Sequence, residues 1–192
     1  MNRTGTNVFA LLLATLAAPA IAPGAATGNE KVPDIEIISA VMGGSGCPDE
    51  TARFALSTDK RKLSVKLDDY PAQADRYASC NIAVLLSVPA GVTIALVDID
   101  YRGHASIPDL DGSKARLRAE YFFAGGTGPV GKHTFPRGFE GNYKIWPDAL
   151  GTVWSPCEEE VIARANTGIR VWGSDSSVTI DEITVYLDWD HC

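Results

Sequence analysis

Carboxylates are the residues of this sequence best suited to chemistry, and they occur in pairs and short runs. These are Asp68-Asp69, Asp98 with Asp100, Asp109 with Asp111, Glu158-Glu159-Glu160, Asp181-Glu182 and Asp188 with Asp190. A glycosidase needs two carboxylates that face each other across a cleft, about 5–10 Å apart. An extracellular polysaccharide hydrolase with such a pair is therefore one hypothesis. The simpler interpretation, which we favour, is that the acids occupy solvent-facing strand positions.

Four of these aspartates also suggest a metal site. Asp98 and Asp100 alternate along one strand face, and Asp109 and Asp111 lie in the loop that follows. Oxygen ligands gathered at loops are what calcium takes, although the twelve-residue EF-hand pattern is missing. We therefore predict a structural calcium ion at these four residues as a secondary hypothesis, and no other cofactor.

Histidine and serine motifs of catalysis are missing from the sequence. The three histidines, His104, His133 and His191, show none of the usual metal-ligand spacings, and no G-x-S-x-G motif is present. We therefore assign no catalytic residue, and an enzyme is the less favoured interpretation.

Aromatic residues support a binding hypothesis. Trp146, Trp154 and Tyr143 could offer flat ring faces to a ligand such as a sugar, and the two tryptophans flank loops. The competing interpretation is that these rings fill the core, as the alternation around Trp189 and Tyr121 indicates for those two residues.

Alternation of apolar and polar residues indicates the elements that must position these groups. Leu63, Val65 and Leu67 alternate with polar residues, and the runs 82–88 and 92–101 are separated by the turn sequence Pro89-Ala90-Gly91. The sequence predicts an all-β fold, an antiparallel, jelly-roll-like β-sandwich of about eight to ten strands. A shift of apolar phase predicts a bulge near Asp181-Glu182, and the glycine-rich stretch 125–148 is interpreted as a long surface loop.

The four cysteines predict two disulfides, because an even count in an oxidising compartment reads as a disulfide framework. The runs 161–172 and 178–189 are interpreted as the two strands of a hairpin around Asp175. This hairpin would place Cys157 opposite Cys192, and by elimination Cys47 pairs with Cys80.

The N-terminus has the pattern of a secretory signal peptide. Arg3 precedes an apolar run from Val8 to Ala22, and small residues allow cleavage after Ala20, Ala22 or Ala26, of which we favour Ala26. The expected organisation is a signal peptide over 1–26 and one β-sandwich domain over 27–192. The apolar run is too short to span a bilayer, so we expect an extracellular protein with no membrane span after cleavage.

The net charge limits the classes of partner that the chain is expected to bind. The whole chain carries 17 Lys and Arg against 24 Asp and Glu, and removing Arg3 makes the balance more acidic. Nucleic acid is an unfavourable partner for such a chain. A polysaccharide, or a component of a cell wall or host, fits the balance better, and the oligomeric state stays open.

Several segments, taken in order, resemble a known family. They are Gly43-Gly44-Ser45-Gly46-Cys47-Pro48, Asp100-Tyr101-Arg102-Gly103, Tyr121-Phe122-Phe123, Trp154-Ser155-Pro156-Cys157, and Trp189 shortly before Cys192. The sequence resembles the small secreted proteins grouped as domain of unknown function 4360, found mostly in filamentous fungi. The resemblance implies secretion and a cysteine-stapled β domain, and it implies no activity. Our favoured hypothesis is a non-enzymatic secreted protein that binds carbohydrate or a surface. The alternatives are the hydrolase and a secreted effector that contacts a host protein.

Overall fold

The computed structural model describes residues 31–47, 52–68, 70–147 and 151–192. The predicted signal peptide, residues 1–26, lies outside these ranges. Val32–Cys192 forms one compact unit. Its strands are β1 (Glu36–Gly43), β2 (Ala52–Leu56), β3 (Lys62–Leu67), β4 (Pro71–Gln73), β5 (Tyr77–Ser87), β6 (Val92–Ser106), β7 (Lys114–Phe123), β8 (Val130–Phe135), β9 (Glu140–Ile145), β10 (Val153–Trp154), β11 (Glu160–Trp172) and β12 (Ser177–His191).

Two antiparallel sheets pack face to face, which confirms the predicted β-sandwich. The five-stranded sheet has the order β1-β5-β11-β7-β8. The seven-stranded sheet runs β10-β6-β12-β3-β2, with β9 also paired to β6 and β4 to β12. Alternate residues of each strand point inward and form one apolar core, as the period-two pattern requires.

One buried polar contact joins the sheets through this core. The Tyr101 hydroxyl, on β6, lies 2.8 Å from the Thr167 hydroxyl on β11. Burial raises the pKa of Tyr101, so its phenol stays neutral and able to share that hydrogen bond.

The predicted hairpin between the last two strands is wrong. β11 pairs with β5 and β7, whereas β12 pairs with β3, β4 and β6. The turn over residues 173–176 therefore carries the chain from one sheet to the other. The turn at Pro89-Ala90-Gly91 does the same between β5 and β6. Alternation reveals which side of a strand is buried, and both arrangements bury the same side.

The disulfides are those expected, although for a different reason in one case. Cys157 is bonded to Cys192 and Cys47 to Cys80. Cys157 precedes β11 and Cys192 follows β12, so this bond links segments of different sheets instead of closing a hairpin. Cys47 and Cys80 are fully buried.

The glycine-rich stretch 125–148 is not a long loop. It contains β8, which pairs with β7 in a hairpin, and β9, which pairs with β6. Glycines and polar residues hid these two short strands, and this is one reason why the structure has more strands than the eight to ten predicted.

Two irregularities adjust the long strands of the seven-stranded sheet. The pairing of β12 with β6 shifts register between Ile180 and Glu182, which confirms the predicted bulge. It shifts again opposite Val97, which is consequently exposed.

Within the described ranges, no helix is long and apolar enough to cross a membrane.

Candidate functional site

Trp154 is a large exposed aromatic residue on the shortest strand of the fold. It lies in β10, where it pairs with Ala95 of β6, and its side chain is 47% exposed. Its neighbour Val153 faces inward and packs against the core. The alternation along two residues therefore buries one side chain and presents the indole at the surface.

Hydrogen bonds on both sides of Trp154 fix the segment that carries it. Upstream, the Tyr121 hydroxyl lies 2.8 Å from the Gly151 carbonyl and 2.9 Å from the Val97 carbonyl, so its one proton serves either acceptor. Burial, with the nearby Asp98 carboxylate, raises the pKa of Tyr121 to about 12, which keeps it a donor.

Downstream, Ser155 attaches the same segment to β6. Its backbone N–H donates to the Ile94 carbonyl at 2.8 Å, and its hydroxyl accepts from the Ile94 N–H at 3.1 Å. The Thr93 hydroxyl donates to the Ser155 carbonyl at 3.0 Å. With the disulfide at Cys157 two residues further on, the backbone that carries the indole is held in place before any ligand arrives.

A cleft opens beside this indole at the edge of the sandwich. It has a volume of about 660 Å³ including its open mouth, and its walls are Phe123, Ala124, Gly125, Gly126, Val153, Trp154 and Pro156. A second cavity of about 370 Å³ shares Phe123, Ala124 and Pro156 with it and adds Glu158, Glu160, Val161 and Ile162. The two cavities adjoin at these shared residues, and together we call them the groove, with an aromatic end and an acidic end.

Two of the sequence motifs meet in this groove. Tyr121-Phe122-Phe123 ends β7 in the five-stranded sheet, and Trp154-Ser155-Pro156-Cys157 continues β10 of the seven-stranded sheet. The sequence indicated both motifs, but it did not indicate that they are neighbours in space. It also missed Glu158 and Glu160 as groove residues, since it treated them as an acidic run.

Trp146 is as exposed as Trp154 but occupies a different setting. It follows β9, its side chain is 46% exposed, and the Lys144 ammonium lies 4.4 Å from its ring centroid. In the register of β9 with β6 it comes opposite Asp100, about five residues along β6 from the partner of Trp154. At about 3.3 Å per residue the backbone positions of the two tryptophans are roughly 15 Å apart, and Trp146 does not line the groove.

Tyr143, the third predicted ligand-binding residue, belongs to the core. It is 8% exposed, its hydroxyl donates to the Thr179 carbonyl at 2.6 Å, and its ring packs against Phe135. Its ring and its hydroxyl are thus engaged by the protein. The pairing of β9 with β6, which the sequence did not reveal, turns Tyr143 inward.

The four predicted calcium ligands are not gathered in one place. Among the residues that the structure describes, no three His, Cys, Asp or Glu side chains form a group able to hold a metal ion. Asp109 and Asp111, in the loop after β6, both form ion pairs with Arg137. Asp98 accepts a hydrogen bond from the backbone N–H of Ile99 at 2.8 Å.

Asp100 is fully buried on the outer side of the seven-stranded sheet. Lys144 lies 3.5 Å from one of its oxygens and Arg102 lies 3.5 Å from the other. The Tyr186 hydroxyl donates to it at 2.6 Å, and this hydrogen bond raises the pKa of Tyr186 to about 12. Protein side chains thus surround a carboxylate that a substrate cannot reach.

Comparison with known proteins gives a secreted relative of uncharacterised role and solved structures of low sequence identity. An uncharacterized secreted protein of Arthroderma benhamiae is 27% identical over 186 residues, which cover 86% of this chain and 75% of that protein. Among solved structures, the carbohydrate-binding module TmCBM61, solved with β-1,4-galactotriose, is 16% identical, with 81% of this chain and 91% of that chain covered and a TM-score of 0.29. The mannan-recognising module TmCBM27 is also 16% identical, with 82% and 99% covered and a TM-score of 0.29.

The secreted relative and the two disulfides establish that the protein is extracellular. The match to a family extends over residues 33–192, nearly all of the compact unit, and includes all four cysteines. The chain belongs to the family described as a domain of unknown function (DUF4360).

Proposed function

We propose that this protein is a non-catalytic carbohydrate-binding domain that holds a neutral sugar chain in the groove beside Trp154. The observation that carries the proposal is the exposed indole at one end of an open groove, on a backbone segment that Tyr121 and Ser155 hold in place. Covering one face of an exposed indole with the apolar C–H face of a sugar costs little free energy.

The rest of the groove supplies what a sugar needs besides stacking. Glu158 and Glu160 line its other end and accept hydrogen bonds from sugar hydroxyls. The glycines 125 and 126 at the β7–β8 turn carry no side chain that would block the mouth. Because the backbone that carries the indole is already fixed, binding does not have to order it, and that saves part of the entropic cost of association.

The test is a glycan array on the mature protein, followed by calorimetric titration of the best neutral oligosaccharide. Trp154→Ala should lower affinity by about 30-fold or more, since removal of a tryptophan at the centre of an interface costs about 2 kcal/mol or more. Trp146→Ala is the matched control, because it removes an equally exposed indole outside the groove.

The control should change affinity less than twofold. An equal loss in both variants, or no neutral glycan bound by the wild-type protein, would overturn the proposal. Titrations with and without calcium also test whether a metal ion contributes.

The hydrolase remains the second candidate because Glu158 and Glu160 line one cavity. They come from a single segment, two residues apart, whereas glycosidases place their carboxylates on opposite sides of the scissile bond. We therefore expect no release of reducing ends from any polysaccharide that binds. Release that Glu160→Gln abolishes while binding persists would establish the hydrolase instead.

A further inference from the structure

The outer side of the five-stranded sheet collects cations in a protein that is acidic as a whole. The chain has a formal net charge of −7. Yet the outward positions of β7, β8 and β11 carry six of its 17 Lys and Arg: Lys114, Arg116, Arg118, Lys132, Arg164 and Arg170. All six are exposed. We call this surface the basic face.

Strand register places these cations side by side. Arg118 of β7 lies opposite both Lys132 of β8 and Gly168 of β11. Arg116, two residues along β7, lies opposite Arg170. Neighbouring strands are about 4.8 Å apart and alternate residues about 6.7 Å apart, so the cations form a grid about 10 Å wide and 27 Å long.

Few carboxylates neutralise this grid. Among the outward positions of β7, β8 and β11 the acids are Glu120 and Glu160. Glu120 pairs with Arg118 at 3.1 Å, and Glu160 lies at the groove end of β11. Within the described part of the chain, no ion pair involves Arg116, Lys132 or Arg164. Like charges this close repel one another, and an anionic ligand would relieve that repulsion.

Aromatic rings accompany the cations on the same surface. Trp172 ends β11, with Lys114 and Arg170 lying 5.1 and 5.9 Å from its ring centroid. Tyr77, on β5 opposite Arg170, is 54% exposed. The tip of its ring rests on Gly168, where an added Cβ would come within 2.3 Å of the Tyr77 hydroxyl oxygen. A ring thus lies against the sheet beside the guanidinium groups.

We propose that the basic face binds a carboxylated polysaccharide, independently of the groove beside Trp154. Four of the six cations are arginines, whose planar guanidinium pairs with a carboxylate through two parallel hydrogen bonds. Tyr77 supplies an exposed ring on which a sugar ring can stack. Five of the six cations lie at three successive outward levels about 6.7 Å apart along the strands, which suits a polymer with one charge per sugar ring.

A denser polyanion is a poorer partner for the same surface. Duplex DNA carries one charge per about 1.7 Å and extends far beyond the grid. It would therefore face the carboxylates that give the chain its net negative charge. A flexible sugar polymer can remain within the basic face.

The test measures affinity for polygalacturonate, with fully methyl-esterified polygalacturonate as the neutral comparison. The polymers share one backbone and differ in carboxylate charge. The wild-type protein should bind the acidic polymer at least tenfold more tightly, and added salt should weaken that binding. Equal binding of both polymers, or binding of neither, overturns the proposal.

Two triple variants locate the binding surface. Arg116→Gln, Arg118→Gln and Lys132→Gln together remove three charges from the basic face and should weaken binding of polygalacturonate at least tenfold. Arg53→Gln, Lys62→Gln and Lys66→Gln remove the same charge from exposed positions on the other sheet and should change it less than twofold. Equal losses in the two variants would contradict the assignment.

Further arms separate this proposal from other anions and from the groove. Tighter binding to a single-stranded oligonucleotide, or to vesicles containing phosphatidylserine, would reassign the face to another ligand class. Trp154→Ala should leave polygalacturonate binding unchanged, so the two proposals can fail independently.

Discussion

The two outer surfaces of the sandwich treat charge in opposite ways. On the seven-stranded sheet, acids and bases alternate between neighbouring strands and neutralise one another, as in the pairs Arg61–Asp188 and Arg102–Glu182. On the five-stranded sheet, cations from three strands stand together. A net charge of −7 describes neither surface, because strand order separates the charges by sheet. The difference assigns a structural role to the charges of one surface and a ligand-binding role to those of the other.

The bond that joins the two sheets is expected to have the largest effect on stability. Cys157→Ser with Cys192→Ser opens a loop whose ends are 35 residues apart, and loop entropy predicts a loss of about 3.5–4 kcal/mol in the free energy of unfolding. Urea denaturation monitored by tryptophan fluorescence measures this loss.

Selective reduction provides the matching comparison. Cys157 and Cys192 are exposed, whereas Cys47 and Cys80 are buried. A mild reductant should therefore open the first bond well before the second, as mass spectrometry of alkylated fragments would show. Simultaneous loss of both bonds would mean that the sheets separate as soon as their staple is cut.

Removing one carboxylate should cost more on the seven-stranded sheet than on the five-stranded one. Asp100→Asn leaves Arg102 and Lys144 without their buried partner. Because both cations are partly exposed, we expect a loss of about 2 kcal/mol, less than for a fully buried pair. Glu120→Gln breaks only the pair with Arg118 and should cost about 0.5 kcal/mol. Similar values for the two variants would contradict the contrast between the surfaces.

Alkaline titration of Tyr186 tests its hydrogen bond to the Asp100 carboxylate. The hydrogen bond to Asp100 raises the pKa of Tyr186 to about 12 from an ordinary value of 10.0. The folded state therefore benefits from the neutral phenol at every pH below 10, and this benefit is lost as the pH rises from 10 to 12. Absorbance at 295 nm should show one fewer late-ionising tyrosine in Tyr186→Phe. In Asp100→Asn the same tyrosine should ionise closer to pH 10.

The smallest effect concerns the ring on the basic face. Gly168→Ala places a Cβ against the Tyr77 hydroxyl. Since this exposed ring can swing away, unfolding free energy should change by less than about 1 kcal/mol. Affinity for polygalacturonate should fall severalfold if the resting place of the ring matters. Unchanged affinity would remove Tyr77 from the proposed site and leave the cations alone.

Sequence patterns predicted the sandwich and the bulge near Asp181, since each depends on alternation within one strand. Trp154 was a ligand candidate because it flanks a loop. Sequence patterns could not predict which strands become neighbours. Tyr143 looked like a loop residue because the pairing of β9 with β6 is long-range. Arg116 and Arg118 visibly alternate with core residues in the sequence. The strand order β11-β7-β8, which the sequence does not show, places them beside Lys132 and Arg170. The groove was not predicted for the same reason, because its two walls belong to different sheets.

The turns that pass from one sheet to the other also shape how the chain reaches this fold. β5 and β6 are consecutive but never pair, and the same holds for β11 and β12. Their partners lie far away in sequence, so most strand pairing must wait for the closure of long loops, and such topologies fold slowly. β2–β3 and β7–β8 are the adjacent strands that pair directly, which makes these two hairpins the natural starting points. Cys157 and Cys192 adjoin strands of different sheets, so their bond, once formed, prevents the two assembled sheets from drifting apart at that end.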